Sequence, residues 1–536
     1  MPRIESHINP RSADFQRNRD HMRGLLDQLA ARLEAARNAG GAKAAQKLAQ
    51  RGKLSPRERV ERLLDRDGEF LELSPLAAYG HYDDEAPGGG TINGVGRVCG
   101  RLVMIGASDT RVKGGAVYPL GADKMIRAQT IARENGLPSV SLVESAGANL
   151  LYQAELFAPG HRGGRGFCNQ ARMSALGLPQ IAIVFGNATA GGAYVPGMSD
   201  YTVMVRNQAK VFLAGPPLVK AATGADTDDE TLGGAEMHHT QSGLCDYLAD
   251  DDAHALRIGR QIVANLTRPT HAVPRDEPRD PAWDPEELLG IVSPDLKVPF
   301  DIREVVARLI DASEFDEFRT GYGPTLVCGF ARIEGFLVGL LGNNGPLFSQ
   351  SALKATQFIQ LCCQKRVPIV YLQNITGFMV GVEAERQGIV KDGAKMVHAV
   401  ATASVPQFTV LVGGSFGAGN YGMCGRAYDP RLLLTWPSSR IAVMGGDQAA
   451  RVMRIVQEQA MRKLGVQADA EELAAMEQTV KDEFLRQSDP YYATAQLWDD
   501  GIIDPRHTRR ALALGLEGAW QRDLSATAPS FGVFRM

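Results

Sequence analysis

The pattern of apolar and polar positions is clearest in residues 178–196, LPQIAIVFGNATAGGAYVP. An apolar, β-branched run from Gln180 to Phe185 predicts a buried strand. Small residues follow from Asn187 to Ala193, where glycines let a ligand approach the backbone and leave N–H groups free to face it. If a helix starts just beyond, its free amides favour a developing negative charge. The segment is a candidate oxyanion hole made from main chain, although buried strands also end in small residues for packing alone.

The same pattern occurs a second time in residues 405–422, VPQFTVLVGGSFGAGNYG. The matching residues are Pro179 and Pro406, Gly192 and Gly419, Tyr194 and Tyr421, Gly147 and Gly377, and Lys124 and Lys354. The two copies lie about 230 residues apart, and a fixed long period indicates a duplicated domain.

Strands and helices alternate in the order expected of an α/β fold with mainly parallel strands. The predicted elements are a helical arm at about 12–50, a helix capped by Ser55, a hairpin at 91–107, a helix opened by Lys124, a strand at 140–143 and a helix near 169–175. A Pro-rich, extended linker at 276–298 is predicted to separate a first domain, 1–275, from a second, 299–536. The second domain should end in a long charged helical region at about 448–487, with the last residues, FGVFRM, docked.

Composition excludes several classes of function. The 58 basic and 61 acidic residues argue against general nucleic-acid binding, which needs a basic field. The seven cysteines form no C-x-x-C pair, and Cys362 and Cys363 are predicted to be packed thiols, which indicates a reducing compartment. No apolar run reaches membrane-spanning length, so we predict no membrane partner. The N-terminal residues contain no hydrophobic signal core, and we expect a cytoplasmic protein.

In each copy, two loops are expected to converge at the carboxyl ends of the strands, where open α/β sheets bind ligands. One crevice combines Glu144–Gly147 with the Gly-rich turn at 187–193, and the other combines Ile375–Phe378 with the turn at 414–419. Both offer backbone amides to an anionic oxygen but few acids or bases. The duplication therefore suggests two substrates, each with a carbonyl that gains negative charge.

Three other patterns support different functions less well. Gly417, Gly419 and Gly422 satisfy a dinucleotide fingerprint, but the twin segment at 190–193 does not, and no acidic ribose partner follows. The pair His238-His239 and the segment Asp251–His254 give no closed ligand set, so we interpret them as surface residues and predict no metal. A hydratase needs paired acids in the crevice, and Glu144 is a candidate without an obvious second.

Long strings of residues carry a specific resemblance. They are VKGGAVYPL from Val112, ESAGANL from Glu144, TAGGAYVP from Thr189, VFLAGPPLVKAATG from Val211, LGGAEMH from Leu232, QNITGFMVG from Gln373 and GSFGAGNYGMCGRAYDPR from Gly414. Over nearly its whole length the chain resembles the carboxyltransferase (beta) subunit of biotin-dependent acyl-CoA carboxylases, in the methylcrotonyl-CoA and geranyl-CoA branch. The resemblance implies tandem crotonase-like domains, each a ββα superhelix.

The resemblance also implies roles for individual residues. Gly191 and Gly192 would hold the thioester enolate oxygen, and Ala418 and Gly419 the ureido oxygen of carboxybiotin, with no side-chain base. Further substrate contacts would come from Ser145, Ala146, Gly147, Gly163, Ala190 and Tyr194. Further biotin contacts would come from Thr376, Gly377, Phe378 and Gly417. Lys113, Lys220, Arg111 and Arg127 could reach the phosphates of coenzyme A, with solvated surface as the default interpretation.

The chain carries no biotin-attachment sequence of the A-M-K-M kind, so the biotin would be carried on a partner. The resemblance implies a biotin carboxylase and carrier alpha subunit as that partner. It also implies a homo-oligomeric core, a hexamer within a dodecamer, with each cleft formed between two neighbouring chains.

The choice of acyl group depends on Gly163. Methylcrotonyl enzymes of this family carry an aromatic within the sequence HFGR, and Gly163 would replace that ring. Loss of a ring makes room for a longer branched chain, which favours geranyl-CoA, and Gly163→Phe should then suppress geranyl-CoA turnover most. Neutral drift, or refilling of the space by Tyr152, leaves methylcrotonyl-CoA as the alternative. A biotin-dependent decarboxylase and a non-catalytic scaffold are remoter alternatives.

Overall fold

Two sheets of the same design account for the alternation of strands and helices. The structure is a computed structural model that describes residues 1–38, 41–267, 271, 273–464 and 469–524. The first sheet has the strand order β1-β2-β3-β5-β7-β8-β10, with β9 beside the end of β7. Its strands are β1 (Phe70–Leu73), β2 (Thr91–Val98), β3 (Arg101–Ser108), β5 (Ser139–Ser145), β7 (Gln180–Thr189), β8 (Tyr201–Val205), β9 (Lys210–Phe212) and β10 (Tyr247–Ala249). A separate parallel pair consists of β4 (Ala116–Val117) and β6 (Gly147–Ala148).

The second sheet repeats this topology. Its strands are β11 (Asp316–Glu317), β12 (Leu326–Ile333), β13 (Phe336–Asn343), β14 (Ile369–Ile375), β15 (Gln407–Phe416), β16 (Leu432–Thr435) and β17 (Arg440–Ala442). Their order is β11-β12-β13-β14-β15-β16, with β17 beside β15. In both sheets an antiparallel hairpin leads into strands paired in parallel. The α/β fold of tandem crotonase-like units is therefore confirmed.

Helices cover the sheets and connect their strands. Those of the first unit and the N-terminal arm are α1 (Ala13–Arg37), α2 (Gly41–Gln50), α3 (Pro56–Leu63), α4 (Pro119–Asn135), α5 (Gln153–Leu156), α6 (Gly164–Ala175), α7 (Tyr194–Gly197), α8 (Pro216–Thr223), α9 (Asp229–Gly233), α10 (Ala235–Met237) and α11 (Asp252–Asn265). The later ones are α12 (Leu288–Ile291), α13 (Ile302–Ala307), α14 (Ser349–Lys365), α15 (Val382–Arg386), α16 (Ile389–Ala401), α17 (Ala418–Gly422), α18 (Gly446–Lys463), α19 (Ala470–Gln487), α20 (Pro490–Ala495) and α21 (Thr508–Ala519). Among these described helices, none is long and apolar enough to cross a membrane.

Local sequence explains several boundaries. Ser55 caps α3 with a complete capping box, in which Glu58 returns the hydrogen bond, and Pro56 occupies the first helical position. The hairpin β2–β3 turns at Cys99-Gly100, where both residues have positive φ (52° and 74°). Glu334-Gly335 does the same between β12 and β13. Positive φ at both positions matches the right-handed twist of the flanking strands.

The two equivalent lysines are buried inside the units. Their helices begin earlier than expected, at Pro119 and Ser349, so Lys124 and Lys354 lie one turn or more inside α4 and α14. The Lys124 ammonium donates to the carbonyls of Gly88 (3.0 Å) and Thr91 (2.7 Å), and that of Lys354 donates to Leu326 (2.8 Å). Burial lowers the pKa of Lys124 to about 8. Each lysine therefore ties a helix to the start of the hairpin of its own unit.

The two units share one hydrophobic core. Ile131 of α4, Val305 of α13 and Leu512 of α21 belong to the same buried cluster. The predicted linker is extended only in its first part, because residues 288–292 are buried and α12 packs against α1. The expectation of a wholly extended linker was therefore wrong. Its apolar residues pack into a core that they share with both units.

The ends of the chain depart from a simple two-domain division. The N-terminal residues lie against the second unit, where the Ile4 N–H donates to the carbonyl of Ser313 (2.9 Å). The charged helical region consists of α18 and α19, which pack on each other, and residues 465–468 between them lie outside the described residues. The last six residues, which were predicted to be docked, also lie outside the described residues. The proposed domain boundaries stay a prediction.

Asp499 gives the fold a pH-dependent stability. Its carboxyl is buried and accepts a hydrogen bond from the Thr494 hydroxyl (2.6 Å), and burial raises its pKa from the ordinary 3.8 to about 6. The folded chain therefore holds this proton more tightly, so the stabilisation is complete below pH 3.8 and is lost as the pH rises through about 6. Across this pH window we expect the free energy of unfolding of Asp499→Asn to rise by up to about 3 kcal/mol relative to that of the wild type. Melting temperatures of the two proteins, measured at several pH values, check this. A constant difference at all pH values would contradict this.

Candidate active site

The first crevice forms where β7 ends. The chain passes from Thr189 into a 3-10 turn, Ala190–Ala193, and then into α7, with Ala190 at a positive φ of 52°. The N–H of Gly191 precedes the first hydrogen bond of such a turn, which joins residues three apart, and so has no partner inside the turn. Both glycines are partly exposed. The predicted Gly-rich turn therefore offers backbone amides at the surface of a cleft.

The Glu144–Gly147 loop lies directly against this turn. The Ser145 hydroxyl donates to the carbonyl of Gly115 (3.2 Å) and accepts from the N–H of Gly147 (3.1 Å). A Cβ built on Gly192 would lie 3.2 Å from the Cβ of Ser145, and one on Gly147 3.8 Å from that of Ala190. The pairing of β5 with β7 shifts register at this point, which opens the strand ends. The structure thus brings together the two predicted loops.

The second unit builds the same arrangement, and its β14–β15 pair shifts register at the equivalent position. Gly417 has a positive φ of 59° and precedes α17, whose first two residues are Ala418 and Gly419. The N–H groups of these two residues therefore have no earlier carbonyl of the helix to bind. A Cβ on Gly419 would lie 2.5 Å from the side chain of Ile375 and 3.1 Å from the Cα of Gly377, so only glycine allows this close approach.

The surroundings of the second hole include residues that the sequence did not single out. The Ser415 hydroxyl donates to the Gln373 side chain (2.6 Å), and the Asn420 amide donates to Ser415 (2.7 Å). All three are buried. They connect the strand end to α17 and so hold Ala418 and Gly419 in place. In the sequence, the only signal that could have found them was the presence of polar residues, Gln373 and Ser415, inside two otherwise apolar strands.

The remaining predicted biotin contacts lie at this hole. Thr376 is exposed between Ile375 and Gly377, on the loop that faces α17. The Phe378 ring lies beside the hole, 3.2 Å from where a Cβ on Gly422 would be. In the first unit, the predicted substrate contacts Ala146 and Tyr194 are exposed at the first hole.

Gly163 has a different setting from the one expected. It lies in the turn before α6 with a positive φ of 47°, and a Cβ on it would be 2.4 Å from the carbonyl oxygen of Leu156. A ring therefore cannot be added to this backbone without moving the α5–α6 turn, and Gly163→Phe is not the clean test of pocket size that the sequence suggested. Tyr152 packs with Tyr82 and Tyr118, at ring-centroid distances of 4.9 Å and 5.6 Å.

Glu144 is engaged in an internal charge cluster. Its two carboxylate oxygens pair with Lys53 (2.7 Å) and Arg59 (2.9 Å), and the buried Arg59 also pairs with Asp252 (2.9 Å). Both of its carboxylate oxygens are therefore committed to ion pairs inside the unit. The cluster therefore disfavours the hydratase alternative.

Several residues interpreted as surface are buried or partly buried. His238 bonds through its ring to the Val211 carbonyl (2.7 Å), Asp252 pairs with Arg59, and Arg127 pairs with Asp500 (2.9 Å). Lys113 and Lys220 are exposed, each paired with an acid, and Arg111 pairs with Asp109. In the part of the chain that the structure describes, no three or more His, Cys, Asp or Glu side chains form a group that could hold a metal ion.

The fold and the site define a class. A duplicated crotonase-like unit with one backbone-lined hole in each copy, and with Glu144 of the first unit held in internal ion pairs, is suited to stabilising two anionic oxygens rather than to side-chain acid–base catalysis. This is the arrangement of acyl-CoA carboxyltransferases, as the resemblance of the sequence implied.

Comparisons with known proteins identify the family. The carboxyl transferase domain model matches residues 47–534. The chain is 51% identical over 523 residues to the biotin-dependent 3-methylcrotonyl-coenzyme A carboxylase beta1 subunit of Mycobacterium tuberculosis, covering 96% of this chain and 98% of that one. It is 50% identical over 535 residues to the mitochondrial methylcrotonoyl-CoA carboxylase beta chain of Dictyostelium discoideum, covering 99% and 91%.

A solved structure agrees. The beta subunit of Pseudomonas aeruginosa geranyl-CoA carboxylase superposes with a TM-score of 0.91 at 47% identity, covering 100% of this chain and 99% of that one. The chain belongs to the carboxyl transferase family, among the beta subunits of biotin-dependent acyl-CoA carboxylases.

Proposed function

We propose that this chain moves the carboxyl group from carboxybiotin to the γ carbon of a branched, unsaturated acyl-CoA, with geranyl-CoA as the first candidate. The observation that carries the proposal is the repetition of one backbone hole at the same place in both units. Two holes suit two substrates whose carbonyl oxygens both gain negative charge during transfer. Backbone amides alone can stabilise both oxygens, so the proposed transfer needs neither a metal ion nor a side-chain base of this chain.

In the first unit, the N–H of Gly191, with that of Gly192, would donate to the enolate oxygen of the thioester. Ser145 and Gly147 would hold the opposite wall, because their loop is fixed against Gly192. Ala146, Ala190 and Tyr194 would border the acyl chain. Water is excluded from the holes by the bound substrate, so each amide acts in a low-dielectric setting where its interaction is stronger.

In the second unit, the residues fit a flat ureido group. Gly419 packs directly against Ile375 and Gly377, which brings the two loops of the hole together, and the free N–H groups of Ala418 and Gly419 would donate to the ureido oxygen. Thr376, Gly377, Phe378 and Gly417 would surround the ring. When bound, carboxybiotin supplies the carboxyl group and then a basic nitrogen that takes the γ proton. The chain itself orients this nitrogen through the ureido oxygen and needs no side-chain base.

Support for the acyl group is divided. The glycine at position 163 and the P. aeruginosa structure favour geranyl-CoA, whereas the relatives of 50% and 51% identity are named for methylcrotonyl-CoA. Methylcrotonyl-CoA is therefore the second candidate. The positive φ of Gly163 means that the preference depends on the path of the whole α5–α6 turn.

The partners proposed are a biotin-carrying alpha subunit and further copies of this chain, a hexameric core within a dodecamer. Large apolar side chains stand exposed in the segments that follow the Glu144–Gly147 and Ile375–Phe378 loops, with exposed fractions of 87% for Leu151, 84% for Phe157 and 77% for Val380. Exposed apolar patches of this kind mark protein interfaces. Native mass spectrometry of the chain alone and with its partner measures the stoichiometry.

The cytoplasmic location stays a prediction that cell fractionation can check.

The test is steady-state kinetics of the chain assembled with its biotinylated partner, using acyl-CoA substrates of rising length. We expect the highest kcat/KM with geranyl-CoA, a lower value with methylcrotonyl-CoA and little turnover of acetyl-CoA. The partner alone is the control. A higher kcat/KM with methylcrotonyl-CoA than with geranyl-CoA would favour methylcrotonyl-CoA, the second candidate. Loss of carboxybiotin without a carboxylated product would indicate a decarboxylase, and inactivity with every acyl-CoA would indicate a scaffold.

A further inference from the structure

One aromatic ring of α6 reaches the first hole. The rings of Phe167 and Tyr194 meet edge to face, with centroids 5.6 Å apart and an interplanar angle of 62°. A Cβ built on Gly191 would lie 3.5 Å from the tip of the Phe167 ring, which is van der Waals contact. The ring is only partly buried. Phe167 therefore forms one side of the space in front of Gly191.

The helix that carries this ring is fixed on both sides. The Gln129 amide of α4 donates to the carbonyl of Gly166 (3.0 Å) and accepts from the Asn169 amide (3.2 Å). On the opposite side, the buried Gln170 donates to the carbonyl of Val195 in α7 (2.9 Å). These bonds bracket Phe167 within one turn of helix. The backbone that carries the ring is therefore held against α4 and α7.

The start of α6 is fixed as well. The Arg162 guanidinium pairs with the Asp123 carboxylate of α4 through two of its nitrogens, at 2.8 Å and 2.7 Å. Directly after it, a Cβ on Gly163 would point at the backbone of Leu156 and Phe157. One helical turn later, Phe167 points at the hole. The side chain that bounds the acyl space in this structure is therefore that of Phe167.

We propose that Phe167 is a specificity-determining residue that limits the length of the acyl chain accepted at the first hole. The inference deepens the proposed function and rests on it for the identity of the thioester. An acyl chain leaves the thioester carbonyl at the hole, and a rigid ring in contact with Gly191 occupies part of the volume that the chain needs. Pocket differences of one methylene change discrimination by about 10-fold to 200-fold.

The test compares binding and turnover in Phe167→Leu and Phe167→Trp, prepared in the assembled complex. Calorimetry with butyryl-CoA and octanoyl-CoA gives the ratio of the two Kd values without any need for turnover. We expect Phe167→Leu to shift this ratio about tenfold or more towards octanoyl-CoA and Phe167→Trp to shift it the other way. The kcat/KM ratio of geranyl-CoA to methylcrotonyl-CoA should follow. Phe167→Tyr, which keeps the ring, should retain the wild-type preference.

Tyr247→Leu is the matched control, because Tyr247 is a half-exposed aromatic on the edge strand β10, on the far side of β8 from β7. It should leave both ratios unchanged. Ratios that stay at wild-type values in the Phe167 variants, or a uniform loss of affinity for both thioesters, would overturn the inference. A wild type that binds acyl-CoA but never transfers a carboxyl group would remove the proposed function alone, and the Kd ratio would still decide the role of Phe167.

Discussion

Replacing Gly192 by valine should reduce carboxyl transfer by at least about hundredfold while the chain still folds and assembles. A Cβ at this position meets the Ser145 side chain at 3.2 Å and 3.3 Å and the Ser145 carbonyl oxygen at 3.9 Å, and the backbone of Gly192 has no positive φ. The branches of valine would then stand between the Gly191–Gly192 amides and the oxygen that they bind. Steady-state kcat/KM with the preferred acyl-CoA measures the loss, and native mass spectrometry checks the assembly.

Gly197→Val is the matched control for this experiment. Gly197 ends α7 a few residues further along the same segment, and a Cβ there has nothing within 4 Å. We expect nearly normal kcat/KM. Normal turnover by Gly192→Val would remove the enolate-hole assignment, and a parallel loss in both variants would indicate a general effect on α7. The twin position is a less clean test, because a Cβ on Gly419 would collide with Ile375 at 2.5 Å.

Features that depend on neighbouring residues could be predicted from the sequence. The apolar run before Gly186 gave the position of β7, although the strand extends to Thr189. The matched glycines Gly147 and Gly377 located the loops that converge on each hole. These predictions succeeded because strand periodicity, helix capping and glycine-rich turns are local, and because the second copy repeats each signal independently.

Features that depend on distant partners could not be predicted. Lys124 and His238 look like surface residues in sequence, but carbonyls from other elements satisfy them inside the fold. Gly163 is conspicuous as a small residue, yet its positive φ and the nearby Leu156 carbonyl depend on the path of the α5–α6 turn. In the sequence, Phe167 is an ordinary apolar residue of a helix, and only the fold shows that it packs against Tyr194 of α7. Tertiary contacts, rather than residue type, decide these cases.

One buried carboxylate, Asp500, joins the two units. It pairs with Arg127 of α4 in the first unit (2.9 Å) and with Arg426 of the second (2.9 Å), and it accepts the N–H of Leu433 (2.9 Å). Burial by itself would raise the pKa of Asp500, but the two guanidinium groups outweigh it and hold the pKa below its ordinary value. The pairing is therefore intact at neutral pH and is lost only as the pH falls well below 3.8.

Asp500→Ala should consequently lower the free energy of unfolding by about 3–5 kcal/mol, because it leaves two partly buried guanidinium groups without their shared, fully buried partner. The measurement is the apparent melting temperature together with the rate of thermal inactivation. Asp447→Ala is the matched control, since Asp447 also binds two cations, Lys481 and Lys297, but its side chain is 48% exposed against 0% for Asp500. We expect the control to lose much less stability, because solvent-exposed ion pairs contribute little to it. Equal losses in the two variants would show that the Asp500 cluster does not hold the units together.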